Sequence, residues 1–485
     1  MTTDEVVNIV NSQVNCGTPN VILIISDHHR WDYLGCAGAN FIHTPNLDRL
    51  ATKGTVLNQM YSTSPVCMPQ RITLTTGRYA MNTGCYGNMQ PLPDPKCPSF
   101  VRQLRQSGVN TAMIGKFHNH QHYEDADFIA HQDQVHQLGY ETVCETAGKV
   151  NVGHHRVRCR FMEFLHSVGI YDEYKTWVKQ ELVDYHPNMP SNPWQWDPDT
   201  TQDAFIAQRA VTFIENVRRE RPFYLHIGFV GPHPPFDAPE CYRGYYRYVI
   251  PPPPAGRNKT RNAAWWRAYC SCITEIDTHI GRVMQALEAC DLDKETVVLY
   301  TSDHGDYAGD LGYWSKGDFH EPSVHVPFLS TGPGIASGRS NGALAELIDV
   351  GATICSVMGI PTHDLDQGQS LLPLLQDKAE HHRSECYSEM GSHKMIFDGR
   401  YKLLFGSKKL PVPDNFPDHL INRGAPVLLY DLHNDPKEER NLSDTPRYQN
   451  KLANLKDRLL RRIIDNQQGQ PSALVGKSFS LTSSR

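Results

Sequence analysis

The stretch that decides the fold is Val21-Ile22-Leu23-Ile24-Ile25, which leads directly into Ser26-Asp27-His28-His29. An apolar run without a polar face predicts a strand that is buried on both sides, as in a parallel sheet. The same alternation of short apolar runs and amphipathic helical segments continues along the chain, which is typical of a doubly wound α/β fold. The further strand candidates are 111–114, 223–229 and 296–300, and the clearest helix candidates are 203–219 and 264–289.

The composition changes near residue 375, so the sequence predicts an α/β domain over 1–375 and a smaller subdomain over 376–485. Residues 394–404 read as a hairpin with Asp398-Gly399 in its turn. Residues 448–465 place Leu452, Leu455, Leu459 and Ile463 on one helical face. The subdomain is therefore predicted to be an antiparallel sheet plus a helix. The last 15 or so residues suit a mobile tail better than an arm for homo-oligomerisation. The sequence leaves the oligomeric state open.

The composition excludes several classes of protein. The chain has 485 residues, with 47 basic and 53 acidic side chains and a net charge of −6, which argues against nucleic acid as a partner. No apolar run approaches the roughly 18–20 residues of a membrane span. The acidic N-terminus lacks a signal-peptide pattern, so we expect a cytoplasmic protein. Thirteen cysteines without a C-x-x-C pair indicate reduced thiols.

Chemically useful side chains follow each of the four main strand candidates. In an open α/β sheet, functional groups collect beyond the carboxyl ends of the strands. A single polar strand end is as consistent with a cap or a turn, but four together predict a site. Asp27 with Asp303 and His304 would suit a divalent cation. The segments concerned are Ser26-Asp27-His28-His29, Gly115-Lys116-Phe117-His118, Gly231-Pro232-His233-Pro234-Pro235 and Ser302-Asp303-His304-Gly305-Asp306.

The most specific segment runs from Ser64 to Arg78 and reads SPVCMPQRITLTTGR. Pro69 suits the first turn of a helix and Gly77 suits its C-terminal end. Cys67 would then lie at the helix N-terminus, where unpaired N–H groups favour an anion. Arg71 comes one turn later on the same face, so a nucleophile at Cys67 would have a cation beside it.

The pattern Cys67-x-Pro69-x-Arg71 followed by Leu-Thr-Thr-Gly-Arg resembles the signature of type I sulfatases in the alkaline phosphatase superfamily. The resemblance covers most of the chain, and it implies a large, mixed but mostly parallel sheet between helices. It also implies that the motif cysteine is oxidised to Cα-formylglycine by a formylglycine-generating or radical sulfatase-maturating enzyme. The other segments that carry it are 44–50, 115–118, 232–236, 301–305, Lys316 with Pro327, 430–432, 435–436 and 441–442.

The resemblance also implies roles for individual residues. A geminal diol at position 67 would attack the sulfur of a sulfate ester beside one divalent cation, either Ca²⁺ or Mn²⁺, and Arg71. Lys116, His233 and Lys316 would balance the charge of the sulfate, and either His233 or Lys316 would protonate the leaving oxygen. His118 would take the proton of the second hydroxyl. The metal ligands would be Asp27, His28, Asp303, His304 and the modified Cys67.

Two departures qualify these expectations. The family usually has Asp or Gln at the position of His28. If His28 binds the metal, this second imidazole would favour Mn²⁺ or another transition metal. If His28 is not a ligand, a water molecule would take this coordination position. His304 and the Tyr86-Gly87-Asn88 segment resemble the branch of choline sulfatase-like enzymes and phosphonate monoester hydrolases. Asn88 and His320 are further candidates for binding the substrate.

The expected activity is hydrolysis of a small aryl, alkyl or sugar sulfate at its S–O bond. The nearest rival is hydrolysis of a phosphonate monoester or phosphodiester at the same site. A catalytically silent binding protein with an unmodified Cys67 is a third interpretation, from a different class.

Overall fold

A computed structural model describes residues 14, 17–88, 97–119, 126–153, 157–183, 191–256, 261–406 and 427–467. The C-terminal segment predicted as a tail lies outside these residues. The described strands are β1 (Asn20–Ser26), β2 (Thr55–Leu57), β3 (Met60–Tyr61), β4 (Asn110–Gly115), β5 (Thr142–Glu145), β6 (Phe223–Gly228), β7 (Thr296–Ser302), β8 (His325–Val326), β9 (Phe328–Thr331), β10 (Arg339–Asn341), β11 (Ala345–Glu346), β12 (Cys386–Met390), β13 (His393–Phe397), β14 (Tyr401–Phe405) and β15 (Val427–Asp431).

Helices connect most of these strands. The described α-helices are α1 (Pro45–Lys53), α2 (Cys67–Thr76), α3 (Ala80–Thr83), α4 (Phe100–Gln106), α5 (Gln132–Gln137), α6 (Lys149–Gly153), α7 (Arg160–Ser167), α8 (Tyr171–Val183), α9 (Gln202–Asn216), α10 (Glu240–Arg243), α11 (Ala263–Ala289), α12 (Glu321–Val324), α13 (Asp349–Val357), α14 (Leu372–Leu375) and α15 (Gln449–Gln467). None of them combines the length and apolarity that crossing a membrane requires.

The main sheet has eight strands in the order β10-β2-β9-β7-β1-β6-β4-β5. Strand β9 pairs antiparallel with both β7 and β2, while the other neighbours in the sheet are parallel. The sequence prediction of a large, mixed but mostly parallel sheet is therefore confirmed. The predicted strands at its centre agree with β1, β4, β6 and β7 to within a residue or two.

The two faces of β1 explain why its sequence is apolar throughout. Ile22 and Ile24 pack in the layer that contains Ile206 of α9 and Ile276 of α11. Val21, Leu23 and Ile25 face the opposite layer, which includes α4 and α13. Helices cover both faces of the sheet, so alternate side chains of this strand lie in two different cores.

The C-terminal region forms a second sheet of four antiparallel strands, β12-β13-β14-β15. The hairpin between β13 and β14 turns through residues 398–400, as predicted from Asp398-Gly399. Helix α15 buries Leu452, Leu455 and Leu459 against one face of this sheet. The opposite face packs with Tyr61 and Phe319 of the main body. The predicted antiparallel sheet plus helix is confirmed, while a domain boundary at residue 375 stays a prediction.

A third, small sheet has the order β11-β3-β8. It was not predicted, because strands of two residues leave no periodicity to detect. Strand β3 lies a few residues before α2, so this sheet holds one end of the segment that carries Cys67.

Candidate active site

The carboxyl ends of neighbouring strands bring the candidate residues together. Strands β1 and β7 pair in register from Asn20 with Thr296 to Ser26 with Ser302. Asp27 and Asp303 therefore follow the same rung of the sheet, and His28 and His304 come next. Strand β4, which precedes Lys116, lies two places from β1 in the same sheet. The residues that follow these strands therefore lie at one edge of the sheet, and their roles stay a prediction.

Helix α2 presents Cys67 at its first turn, and Gly77 ends the helix with a φ of 62°. The segment before the helix is held by Gln70, whose side-chain oxygen accepts hydrogen bonds from the backbone N–H groups of Thr63 (2.7 Å) and Ser64 (3.1 Å). The Met68 N–H donates to Asn88 Oδ1 over 3.0 Å. These contacts fix the position of the Cys67 thiol, which is 1% exposed.

Four buried side chains converge on one point. Donor atoms of Asp27, His28, Cys67 and His304 all lie within 4.8 Å of one another. His304 Nε2 is 3.2 Å from Cys67 Sγ and 3.6 Å from Asp27 Oδ1. Asp303 Oδ1 lies 3.6 Å from the same imidazole nitrogen, at the border of this cluster.

Three cationic side chains surround the cluster. Lys316 Nζ is 2.9 Å from Cys67 Sγ and 2.5 Å from His28 Nε2, and the Lys116 ammonium contacts the Asp27 carboxylate. The Arg71 guanidinium donates through Nε to Asp303 Oδ2 (2.9 Å) and through Nη1 to the Lys116 carbonyl (2.8 Å). Its Nη2 is buried without a hydrogen-bond partner among the described residues. A buried N–H of this kind is suited to an anionic ligand.

These charges act on the acids in the cluster. Burial raises the pKa of Asp27, but the positive charge of Lys116 and further cations outweigh it and hold this pKa well below its usual value. Burial and the Asp27 charge raise the pKa of the Cys67 thiol, yet Lys316 and Lys116 bring it below its usual value. A lowered thiol pKa favours the anionic form at this position.

The pKa values of the histidines in this site are shifted in opposite directions. Burial and then the Lys316 charge lower the pKa of both His28 and His233, so their neutral forms are favoured. His304 is buried as well, but the negative charges of Asp303 and Cys67 raise its pKa above the usual value.

The donor set fits a divalent cation. It offers a carboxylate, a thiol and two imidazoles, whose other ring nitrogens are already engaged. His28 Nδ1 lies 3.0 Å from Asp306 Oδ2, and His304 Nδ1 lies 3.0 Å from the Gly305 carbonyl. Metal-binding histidines commonly hold their second ring nitrogen in this way.

The remaining candidates lie around this centre with differing contacts. The His233 ring centroid is 4.3 Å from that of His28, and its Nδ1 is 2.7 Å from the Pro234 carbonyl. His118 is buried after β4 and adopts a φ of 57°. His320 is held by the hydroxyl groups of Tyr307 (2.8 Å) and Tyr430 (3.1 Å). A role for His320 in binding substrate stays a prediction.

The comparison with protein families decides the relationship. The sulfatase family model matches residues 19–360. The chain belongs to the sulfatase family. A second model, the C-terminal part of N-sulphoglucosamine sulphohydrolase, matches residues 309–465. The predicted family, and with it the assignment of this sulfatase as a hydrolase of sulfate esters, is confirmed.

Similar proteins cover nearly the whole sulfatase chain. An arylsulfatase of Clostridium perfringens is 26% identical over 93% of this chain and 95% of its own length. A choline-sulfatase of Rhizobium meliloti is 25% identical over 89% of this chain and 83% of its own. The structure of a phosphonate monoester hydrolase of Agrobacterium radiobacter superposes with a TM-score of 0.75 at 22% identity, over 92% of this chain and 96% of its own. The last comparison supports the alkaline phosphatase-like fold.

Sequence reasoning gave no role to two residues of the sulfatase site. Asp306 holds His28 through its side chain, and Tyr269 Oη donates to the His28 carbonyl over 2.6 Å. Asp306 was visible as the last acid of the segment 302–306, two residues after a candidate ligand. Tyr269 lies in the second turn of α11, far along the chain from His28, and no local pattern marks it.

Proposed function

We propose that this sulfatase hydrolyses a small organic sulfate, either aryl, alkyl or sugar, at its S–O bond. The proposal includes conversion of Cys67 to formylglycine by a formylglycine-generating or radical sulfatase-maturating enzyme. The observation that carries it is the buried Cys67 side chain at the start of α2, with Lys316 Nζ at 2.9 Å and His304 Nε2 at 3.2 Å. A side chain so enclosed by cations and potential metal ligands is suited to attack an anionic ester.

The metal proposed for this site is Ca²⁺ or Mn²⁺. Asp27, His28, His304 and residue 67 would hold it, with Asp303 at the border of the group. Bound there, the cation would supply Lewis acidity to a sulfate oxygen and lower the pKa of the attacking hydroxyl. The hydrated aldehyde of formylglycine would supply that hydroxyl.

The cationic side chains are proposed to bind the sulfate group and to balance its negative charge. Arg71 Nη2 is a buried donor without a partner among the described residues, so we assign it to a sulfate oxygen. Lys116 and Lys316 are each less than 10% exposed, and their ammonium groups would act in a site of low polarity. In such a site, the two ammonium groups would stabilise the charge that develops as the S–O bond breaks more strongly than they would in water.

Protons are assigned to three residues. Either Lys316, which lies beside the nucleophile, or His233, which lies beside His28, is assigned to protonate the leaving oxygen of the alcohol. Lys316 is the better proton donor of the two, because the neutral form of His233 is favoured. We assign His118 to the proton of the second hydroxyl, whose removal releases sulfate and restores the aldehyde. Asn88 and His320 are proposed to contact the substrate, with Asn88 Nδ2 as the donor, since its Oδ1 is taken by Met68 N–H.

Hydrolysis of a phosphonate monoester or phosphodiester is the second candidate. The phosphonate monoester hydrolase with a TM-score of 0.75 and the His304 ligand position favour it. The two reactions need the same nucleophile, cation and anion-binding donors, so one site can serve both.

Three measurements test the proposal. Mass spectrometry of the Cys67 peptide, after co-expression with a maturation enzyme, should show the aldehyde; an intact thiol in fully active protein would contradict the mechanism.

Assays with an aryl sulfate and an aryl phosphonate ester should give the higher kcat/KM for the sulfate. In H₂¹⁸O, the label should appear in the sulfate, whereas label in the alcohol would indicate cleavage of the C–O bond.

A further inference from the structure

His28 adopts a backbone conformation that side chains seldom take. Its φ is 74°, in the left-handed region, which is strained for a residue other than glycine. The surroundings hold it there. Its N–H donates to Asp303 Oδ1 (3.4 Å), and its carbonyl accepts from the Tyr269 hydroxyl (2.6 Å). This backbone geometry aims the imidazole into the cluster around Cys67.

Asp306 fixes the remaining freedom of the ring. Its Oδ1 accepts from the backbone N–H groups of Ala308 (2.8 Å) and Ser315 (3.1 Å), and its Oδ2 lies 3.0 Å from His28 Nδ1. The carboxylate is buried, and only a protonated Nδ1 can donate to it. The lone pair of His28 is therefore on Nε2, which lies 3.8 Å from Asp27 Oδ1 and 2.5 Å from Lys316 Nζ.

His304 has the same arrangement on the neighbouring strand end. The Gly305 carbonyl accepts from its Nδ1 at 3.0 Å, and its Nε2 faces Cys67 Sγ and Asp27. The two rings have centroids 4.4 Å apart at an angle of 70°. The Nε2 atoms of both rings thus lie within 3.8 Å of the same Asp27 oxygen.

We propose that the cation of this site is bound through two imidazole nitrogens, His28 Nε2 and His304 Nε2, and that Asp306 is the positioning residue for the first of them. The proposal rests on the proposed function, because it concerns the metal of the same site. Imidazole nitrogen strongly favours first-row transition metals over Ca²⁺, which prefers oxygen ligands. The site therefore selects Mn²⁺ over Ca²⁺.

The competing arrangement has His28 Nε2 as a permanent acceptor for Lys316 Nζ, which lies 2.5 Å away. One lone pair cannot bind both an ammonium group and a metal ion. In that arrangement the metal would take a single nitrogen, from His304, and the site would bind Ca²⁺ comfortably. The number of nitrogen ligands distinguishes the two arrangements.

The experiment uses the full chain produced without a maturation enzyme, so that residue 67 is Cys in every sample. Pulsed electron paramagnetic resonance of the Mn²⁺-loaded protein counts directly bound nitrogens. Equilibrium dialysis with Mn²⁺ and Ca²⁺ gives the two affinities. The variants are His28→Gln, which restores an oxygen ligand, Asp306→Asn, and His29→Gln as the control. His29 is equally buried, but its ring is held by Tyr300 and the Tyr33 carbonyl.

We expect two nitrogen ligands on Mn²⁺ in the protein without substitutions and in His29→Gln, and one in His28→Gln. Asp306→Asn should weaken Mn²⁺ binding about 10–100-fold, as is typical when the partner of a metal-bound histidine is lost. His28→Gln should reduce the preference for Mn²⁺ over Ca²⁺ by at least as much. The proposal is overturned by one nitrogen in the unmodified protein, or by an unchanged preference in a folded His28→Gln variant.

The outcome is separate from the test of the sulfatase reaction. A matured protein that cleaves aryl sulfate but binds Ca²⁺ as tightly as Mn²⁺ would overturn the metal proposal alone. A protein with two nitrogen ligands that cleaves no sulfate ester would overturn the proposed function alone.

Discussion

Replacement of Arg71 by Met separates the structural and chemical roles of one buried cation. Its guanidinium, 1% exposed, makes one charged hydrogen bond, to Asp303, and one bond to a buried carbonyl, that of Lys116. Loss of the first leaves a buried carboxylate without its cation, and loss of the second leaves a carbonyl unsatisfied. Together these effects should lower the free energy of unfolding by about 3–5 kcal/mol. Arg71→Lys keeps the charge but loses the forked geometry, and should cost about 1–3 kcal/mol.

The measurement is a urea titration in the presence of EDTA, so that metal binding does not contribute. Arg400→Met is the matched control, because Arg400 makes two hydrogen bonds to Asp431 but is half exposed, and its loss should cost far less. In matured, metal-loaded protein, Arg71→Met should lower kcat/KM for an aryl sulfate about 10²–10³-fold through the loss of Nη2. A free energy within about 1 kcal/mol of the unmodified protein would refute the argument from the buried ion pair. Full activity in Arg71→Lys would refute the assignment of Nη2 to the sulfate.

Three further predictions concern the pKa of the Cys67 thiol, a buried carboxyl away from the site, and the cation. Lys316→Met should raise the pKa of the Cys67 thiol, because it removes the cation that lowers this pKa most; the pH dependence of alkylation at Cys67, followed by mass spectrometry in unmatured protein, measures it. Burial raises the pKa of Asp366 to about 7 in the folded chain, so the contribution of this carboxyl to the free energy of unfolding should fall by about 2–4 kcal/mol between pH 4 and pH 8. Urea titrations across this range measure that contribution as the difference between the pH profiles of the native sequence and Asp366→Asn. Prolonged dialysis against EDTA should abolish sulfate ester hydrolysis, and added Mn²⁺ should restore it; activity that survives verified metal removal would contradict a catalytic cation.

The central strands were predictable because each is apolar on both faces and ends in residues with evident chemistry. β1 and β7 meet these conditions, and their register brings Asp27 beside Asp303. Strands β2, β9 and β10, on one side of the sheet, have three or four residues each, and long-range pairing defines them instead of local pattern. The antiparallel direction of β9 therefore had no signal in the sequence.

In the candidate site too, local sequence pattern predicted some features, while long-range contacts determine others. Cys67 and Arg71 share a helix, so their spacing of one turn was enough to predict that they act together. The support of His28 by Asp306 depends on a loop conformation in which Ala308 and Ser315 donate to one carboxylate oxygen. No spacing rule yields that contact, because it joins residues from the ends of β1 and β7 and from the loop that follows β7.

The C-terminal sheet bears on the chemistry through the segment that carries Lys316. Lys402 of β14 is completely buried, and its ammonium donates to the Phe319 carbonyl (2.9 Å) and to Glu321 Oε1 (2.8 Å). Glu438 accepts from the Glu321 N–H (2.6 Å) and pairs with the same ammonium. The chain from 316 to 321 is thus anchored to the second sheet only three residues after Lys316. Because the Lys316 ammonium group must lie within hydrogen-bond distance of residue 67 to have its proposed role, we infer that the smaller sheet helps to position this charge.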